Sequence, residues 1–219
     1  MPHHSSARTP TPYRMVVLPL LLACAGALCL SACTSAGSGS AQVTTGGTAS
    51  TAPADGTQGV RTLVGLAAQR IMTADTVAAA KWGTSRPIDD PAREKVVLDG
   101  ALAQAAKRGV NPLVARRVFE GQIAASKVVQ HALYAQWTAS PALRPTHRPD
   151  LATQVRPVLD RIDGQLLDAI KQAQPLLSGA PGCAALMDRE ISDTARTMRL
   201  DTVHREALRQ SLTGACRAA

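Results

Sequence analysis

Aromatic side chains are nearly absent from this chain, which has one Phe, two Tyr and two Trp in 219 residues. No segment alternates apolar and polar residues with period two for long, so a sheet-based architecture is excluded and an Ala- and Leu-rich all-α fold is left. The five histidines are scattered, none at ligand spacing from another or from a cysteine, which excludes a metal site built on them. There is no Gly-rich phosphate loop and no internal repeat. Lys and Arg exceed Asp and Glu by a formal +8 but form no run. That pattern argues against nucleic acid as a partner and fits an anionic small molecule or a membrane surface.

The apolar run MVVLPLLLACAGALCL is too short to span a bilayer comfortably, and Arg8 and Arg14 precede it. Residues 1–32 therefore read as a secretory signal. Its end, Leu30-Ser31-Ala32-Cys33, resembles a bacterial lipoprotein box with lipid placed on Cys33. Cleavage without lipid is the competing reading. Thr34 to about Thr57 is rich in Gly, Ser, Thr and Ala and lacks an apolar period, so residues 33–58 read as a lipidated start and flexible tether. Residues 59–219, about 160 in all, suit one domain with one core, facing the periplasm. Loss of Arg8 and Arg14 with the signal lowers the formal charge from +8 to +6. Cys24 and Cys29 leave with the signal, so Cys183 and Cys216 are the cysteines of the folded part. In an oxidising compartment they most simply form one disulfide, worth roughly 3–4 kcal/mol by the chain-entropy model.

Helix signals recur after the tether. A first helix is expected over about Val60–Trp82, ended by GTSRPIDDP. Asp90 caps a second with Pro91 at its first position, and Gly109 closes it. Asn111-Pro112 repeats the signal and opens a third, to about Trp137. Asp150 starts a fourth that continues to Leu177, and a hairpin follows over about Cys183–Thr197 and Asp201–Thr213.

Six polar residues keep a fixed register on these helices: Arg70, Lys81, Arg93, Ser126, Gln130 and Arg156. Arg70 and Lys81 are eleven apart, almost three turns, so they share a face with Leu63, Ala67, Ala74 and Val77. Cations on a core-facing side are costly unless an anion meets them, which predicts a pocket for a small dianion. Ser126 and Gln130 fall within the stripe Phe119, Ile123, Leu133, Trp137. Each residue alone has a plainer reading. Gln130 could be a satisfied core amide, Arg70 half of a salt bridge, Arg93 a surface residue near a helix start, and Lys81 a snorkelling helix end.

In combination the residues resemble the active site of the all-helical chorismate mutases, especially their exported gamma subclass. The frame is Arg70, Lys81, Asp90, Arg93 and Glu94, then Ser126 and Gln130, then Arg156. The phrases VAAAKW, PIDDPAR and VFEGQIAAS and the C-terminal cysteine pair also look like that subclass. The resemblance implies conversion of chorismate to prephenate, in the branch towards phenylalanine and tyrosine, with no cofactor and no metal. That reaction is pericyclic, so positioning and electrostatic preorganisation are the available levers, and no catalytic Cys, His or carboxylate pair is needed. It implies that Arg70, Arg93 and Arg156 hold the two carboxylates. Lys81 and Gln130 donate to the ether oxygen, Glu94 and the Asp90 backbone receive the ring hydroxyl, and Ser126 assists a carboxylate. It further implies a homodimer whose pockets each lie within one chain. The alternative is a non-catalytic, lipid-tethered helical protein that binds an anionic ligand or an envelope partner.

Overall fold

A computed structural model describes residues 54–217. The proposed signal, Cys33 and most of the proposed tether lie outside the described residues. Helices α1 (Ala54–Lys81), α2 (Pro91–Arg108), α3 (Pro112–Ala139), α4 (Arg156–Leu177), α5 (Cys183–Thr197) and α6 (Thr202–Leu212) form the fold. Short turns at Pro141–Leu143 (3-10) and Leu151–Val155 (π) lead into α4. No strand occurs among the described residues.

Helix α1 is the axis of the molecule and touches α3, α4, α5 and α6. Its stripe Leu63, Ala67, Ile71 and Ala74 is fully buried, and Phe119, Leu166, Ile170 and Leu208 meet it in one core. The helix starts at Ala54, inside the stretch expected to be tether and ahead of the expected Val60. No apolar period marked those residues because backbone makes the contact there. A Cβ at Gly59 would lie 2.6 Å from the Ala173 backbone nitrogen on α4. Small residues let the two helices close.

The expected stops and starts hold for α2 and α3. Asp90 accepts from the Arg93 amide at 3.0 Å, and Gly109 ends α2 at φ 66°, where its amide meets the Ala105 and Ala106 carbonyls. Asn111 accepts from the Leu113 amide at 2.9 Å. Asp150 caps in the same way, accepting from Ala152 and Thr153, but the turn it opens is π rather than α. Pro157 explains the difference. In a regular helix its ring would crowd the carbonyl four residues back. The wider turn instead lets the Arg156 amide reach the Leu151 carbonyl.

Helices α5 and α6 brace α1 and α3 from the far side. A Cβ at Gly121 would fall 2.2 Å from the Ser211 carbonyl oxygen, so α3 and α6 meet backbone to backbone. Beside that contact, fully buried Gln122 donates to Ser211 Oγ at 3.0 Å. The Cys183–Cys216 disulfide is present, with its Cα atoms 5.7 Å apart. Three of the five aromatics gather at the other end of α1. Trp82 meets Tyr134 edge-on at 4.8 Å and Trp137 at 5.3 Å, with Arg144 5.9 Å from its ring.

Candidate active site

A cavity open to solvent lies where α1, α2 and α3 converge. Helix α1 supplies Arg70 and Lys81, the α1–α2 loop Ile88 and Asp90, α2 Arg93, Glu94 and Val97, and α3 Ile123, Ser126, Lys127 and Gln130. Thus seven of the eight residues singled out for substrate contact share one cavity. The eighth, Arg156, is exposed at the head of α4. It lines an adjoining cavity with Asp160 and Asp163, and the two cavities share Arg93 and Val97.

Four cations face the cavity (Arg70, Lys81, Arg93 and Lys127) against the carboxylates of Asp90 and Glu94, a balance that suits a dianion. Arg70 is 6% exposed, and its Nε donates to Asp163 Oδ1 at 2.6 Å. The salt-bridge reading of Arg70 therefore holds together with the pocket reading. Asp163 occupies Nε, which leaves the two Nη groups as donors for a carboxylate. Lys81 Nζ makes a long, 3.5 Å bond to the Ile88 carbonyl, so most of its donor capacity is unspent. Burial pushes the Lys81 ammonium below the ordinary lysine value, against the pull of Asp90, Asp89 and Glu94.

Gln130 is 3% exposed and donates from Nε2 to Ser126 Oγ at 3.1 Å and to the Ser126 carbonyl at 3.2 Å. Its Oε1 is buried with no partner among the described residues. Glu94 accepts from Lys127 Nζ at 3.0 Å, an interaction that raises the Lys127 pKa. Lys127, Asp89 and Asp163 were not singled out in the sequence. Lys127 follows Ser126 directly and Asp163 sits beside core-facing Ile162, but only the packed neighbours give these charges a meaning.

Among the described residues no group of His, Cys, Asp and Glu could hold a metal ion. No helix there is long and apolar enough to cross a membrane. The arrangement offers cationic and amide donors on several walls, suited to orienting an anion and stabilising charge on an oxygen.

Known proteins share this fold and are similar in sequence. The sequence model of the family described as chorismate mutase type II matches residues 61–131. The secreted chorismate mutase of Mycobacterium tuberculosis (strain ATCC 25618 / H37Rv) is 35% identical over 167 residues, covering 76% of this chain and 83% of that protein. The secreted chorismate mutase of Mycolicibacterium smegmatis (strain ATCC 700084 / mc(2)155) is 36% identical over 166 residues, covering 76% and 91%. The crystal structure of chorismate mutase from Burkholderia thailandensis superposes with a TM-score of 0.68 at 39% identity, covering 73% of this chain and 99% of that one. With most of those relatives' length matched, and with the helices that build the cavity inside the match, the chain belongs to the chorismate mutase type II family.

Proposed function

We propose that this cavity is where the chain rearranges chorismate to prephenate, and that Lys81 and Gln130 donate to the breaking ether oxygen. The reaction breaks one C–O bond and forms one C–C bond in a single cyclic shift, with no nucleophile and no proton transfer. The protein must hold the enolpyruvyl arm over the ring and stabilise charge as it grows on the ether oxygen. The observation that carries the reading is convergence. Lys81 ends α1 and Gln130 sits far along α3, yet both line one cavity with Arg70 and Arg93.

Arg70 and Arg93 take the substrate carboxylates, and Arg156 adds its charge from across the wall at Arg93 and Val97. Both hydrogens of Gln130 Nε2 are engaged by Ser126, so the bond to Ser126 Oγ is the one a substrate oxygen replaces. The hydroxyl so released is then free to donate to a carboxylate. The Asp90 backbone and Glu94 receive the ring hydroxyl. Export through residues 1–32 is supported by relatives that are named secreted, and lipid at Cys33 with a tether reaching the domain completes the reading. A homodimer with self-contained pockets is the assembly we expect. Intact mass of the native protein tests the lipid, and light scattering in solution tests the dimer.

Steady-state kinetics on chorismate test the roles. Lys81→Ala should act on kcat, by about 10²–10³ as for loss of one preorganised donor. Arg156→Ala should act mostly on KM, because the carboxylates carry the same charge in substrate and transition state. Turnover near the wild-type value in Lys81→Ala would remove the proposed centre of the mechanism.

A further inference from the structure

Lys127 lines the cavity beside Ser126, and nothing in the roles above requires it. Its Nζ lies 3.0 Å from the Glu94 carboxylate and 3.4 Å from Asp89. Asp89 is also bound on its other oxygen by His131 Nε2 at 2.8 Å. Three carboxylates act on Lys81: Asp90, Asp89 and Glu94. Asp90 is committed to the cap of α2 through Oδ1. The remaining two both bind Lys127.

An ammonium paired with a carboxylate in a partly desolvated pocket has little attraction left for a substrate oxygen. Without Lys127, the Glu94 side chain would be a largely sheltered charge with no partner, 28% exposed, and Lys81 is a cation on the same cavity wall. We propose that Lys127 is a positioning residue that keeps Glu94 off Lys81, so that the Lys81 ammonium meets the substrate's ether oxygen instead of a neighbouring carboxylate. The proposal rests on the role given to Lys81 above.

The test is a double-mutant cycle read in kcat and KM for chorismate, with wild type, K127M, K127R, E94Q and K127M/E94Q. Thermal melts of each protein establish that it is folded, and K127R keeps the cycle readable should K127M fold poorly. K127M should lose about tenfold in kcat, within the range that coupled neighbours show. K127R, which keeps a cation for Glu94, should recover most of the loss. On the E94Q background K127M should change kcat by less than about twofold, because an amide cannot capture Lys81 as an ion pair. An undiminished tenfold loss in K127M/E94Q would overturn the proposal. So would a rise in KM with kcat untouched, since Lys127 would then act on binding alone. Lys81→Ala separates the two levels. If it spares kcat, the role of Lys81 fails; if it lowers kcat while K127M does not, only the role of Lys127 fails.

Discussion

An amide at position 130 donates hydrogen bonds at every pH, whereas a carboxyl donates only when protonated. Gln130→Glu should therefore retain activity mainly at low pH and lose it as the new carboxyl ionises, while the wild type keeps a flat profile through that range. A pH–rate comparison on chorismate checks this, and identical profiles would mean that residue 130 does not meet the ether oxygen. At this scale the sequence was most legible where helical period and chemistry coincide. Arg70 and Lys81 fall on one side of α1, Ser126 and Gln130 on one side of α3, and the cavity joins those sides. Residues whose meaning is another residue were not legible. Asp163 matters because Arg70 lies 2.6 Å away across 93 positions, and no local period announces such a pairing. Arg156 shows the opposite case. Its position in the frame was readable, but the turn before it, reshaped by Pro157, places it in the adjoining cavity.

Helix α3 works on two sides at once. One side presents Ser126, Lys127 and Gln130 to the cavity, and its earlier turns press Gly121 against Ser211 of α6. A methyl group at position 121 would overlap the Ser211 carbonyl, a rigid backbone atom, so one of the two helices must shift. Gly121→Ala should destabilise the fold by about 1–3 kcal/mol despite the better helix propensity of alanine, as overpacking does. Denaturant melts at fixed pH measure it, and unchanged stability would show that the contact yields easily. Element boundaries were legible wherever a side chain caps a helix, as at Asp90, Asn111 and Asp150. They were not legible where the signal is the lack of a side chain. Gly59 looks like linker by composition, yet its bareness is what lets the first turns of α1 lie on α4.

At the scale of the whole molecule, one buried histidine ties the C-terminal hairpin to the axis. His204 Nε2 meets Asp75 of α1 at 2.9 Å, and Nδ1 meets Asp201, the cap of α6, at 2.9 Å. The Asp75 bond, opposed by burial and reinforced by Asp201, lifts the His204 pKa from 6.5 to about 9. A raised pKa means the folded state holds the proton more tightly than the unfolded one. The stabilisation is thus complete below about pH 6.5 and is lost as pH rises through about 9, amounting to up to about 3 kcal/mol. Tm should fall across that window, and His204→Gln should flatten the fall; equal slopes for both proteins would assign the pH dependence elsewhere. A last consequence follows from the ring cluster at the end of α1. Both tryptophans of the chain, Trp82 and Trp137, belong to it, and Trp82 directly follows Lys81. Intrinsic emission is therefore a label already in place beside Lys81 at this end of α1, while far-ultraviolet dichroism reports every helix. If the two signals separate on heating, the difference measures how far this end loosens before the bundle gives way.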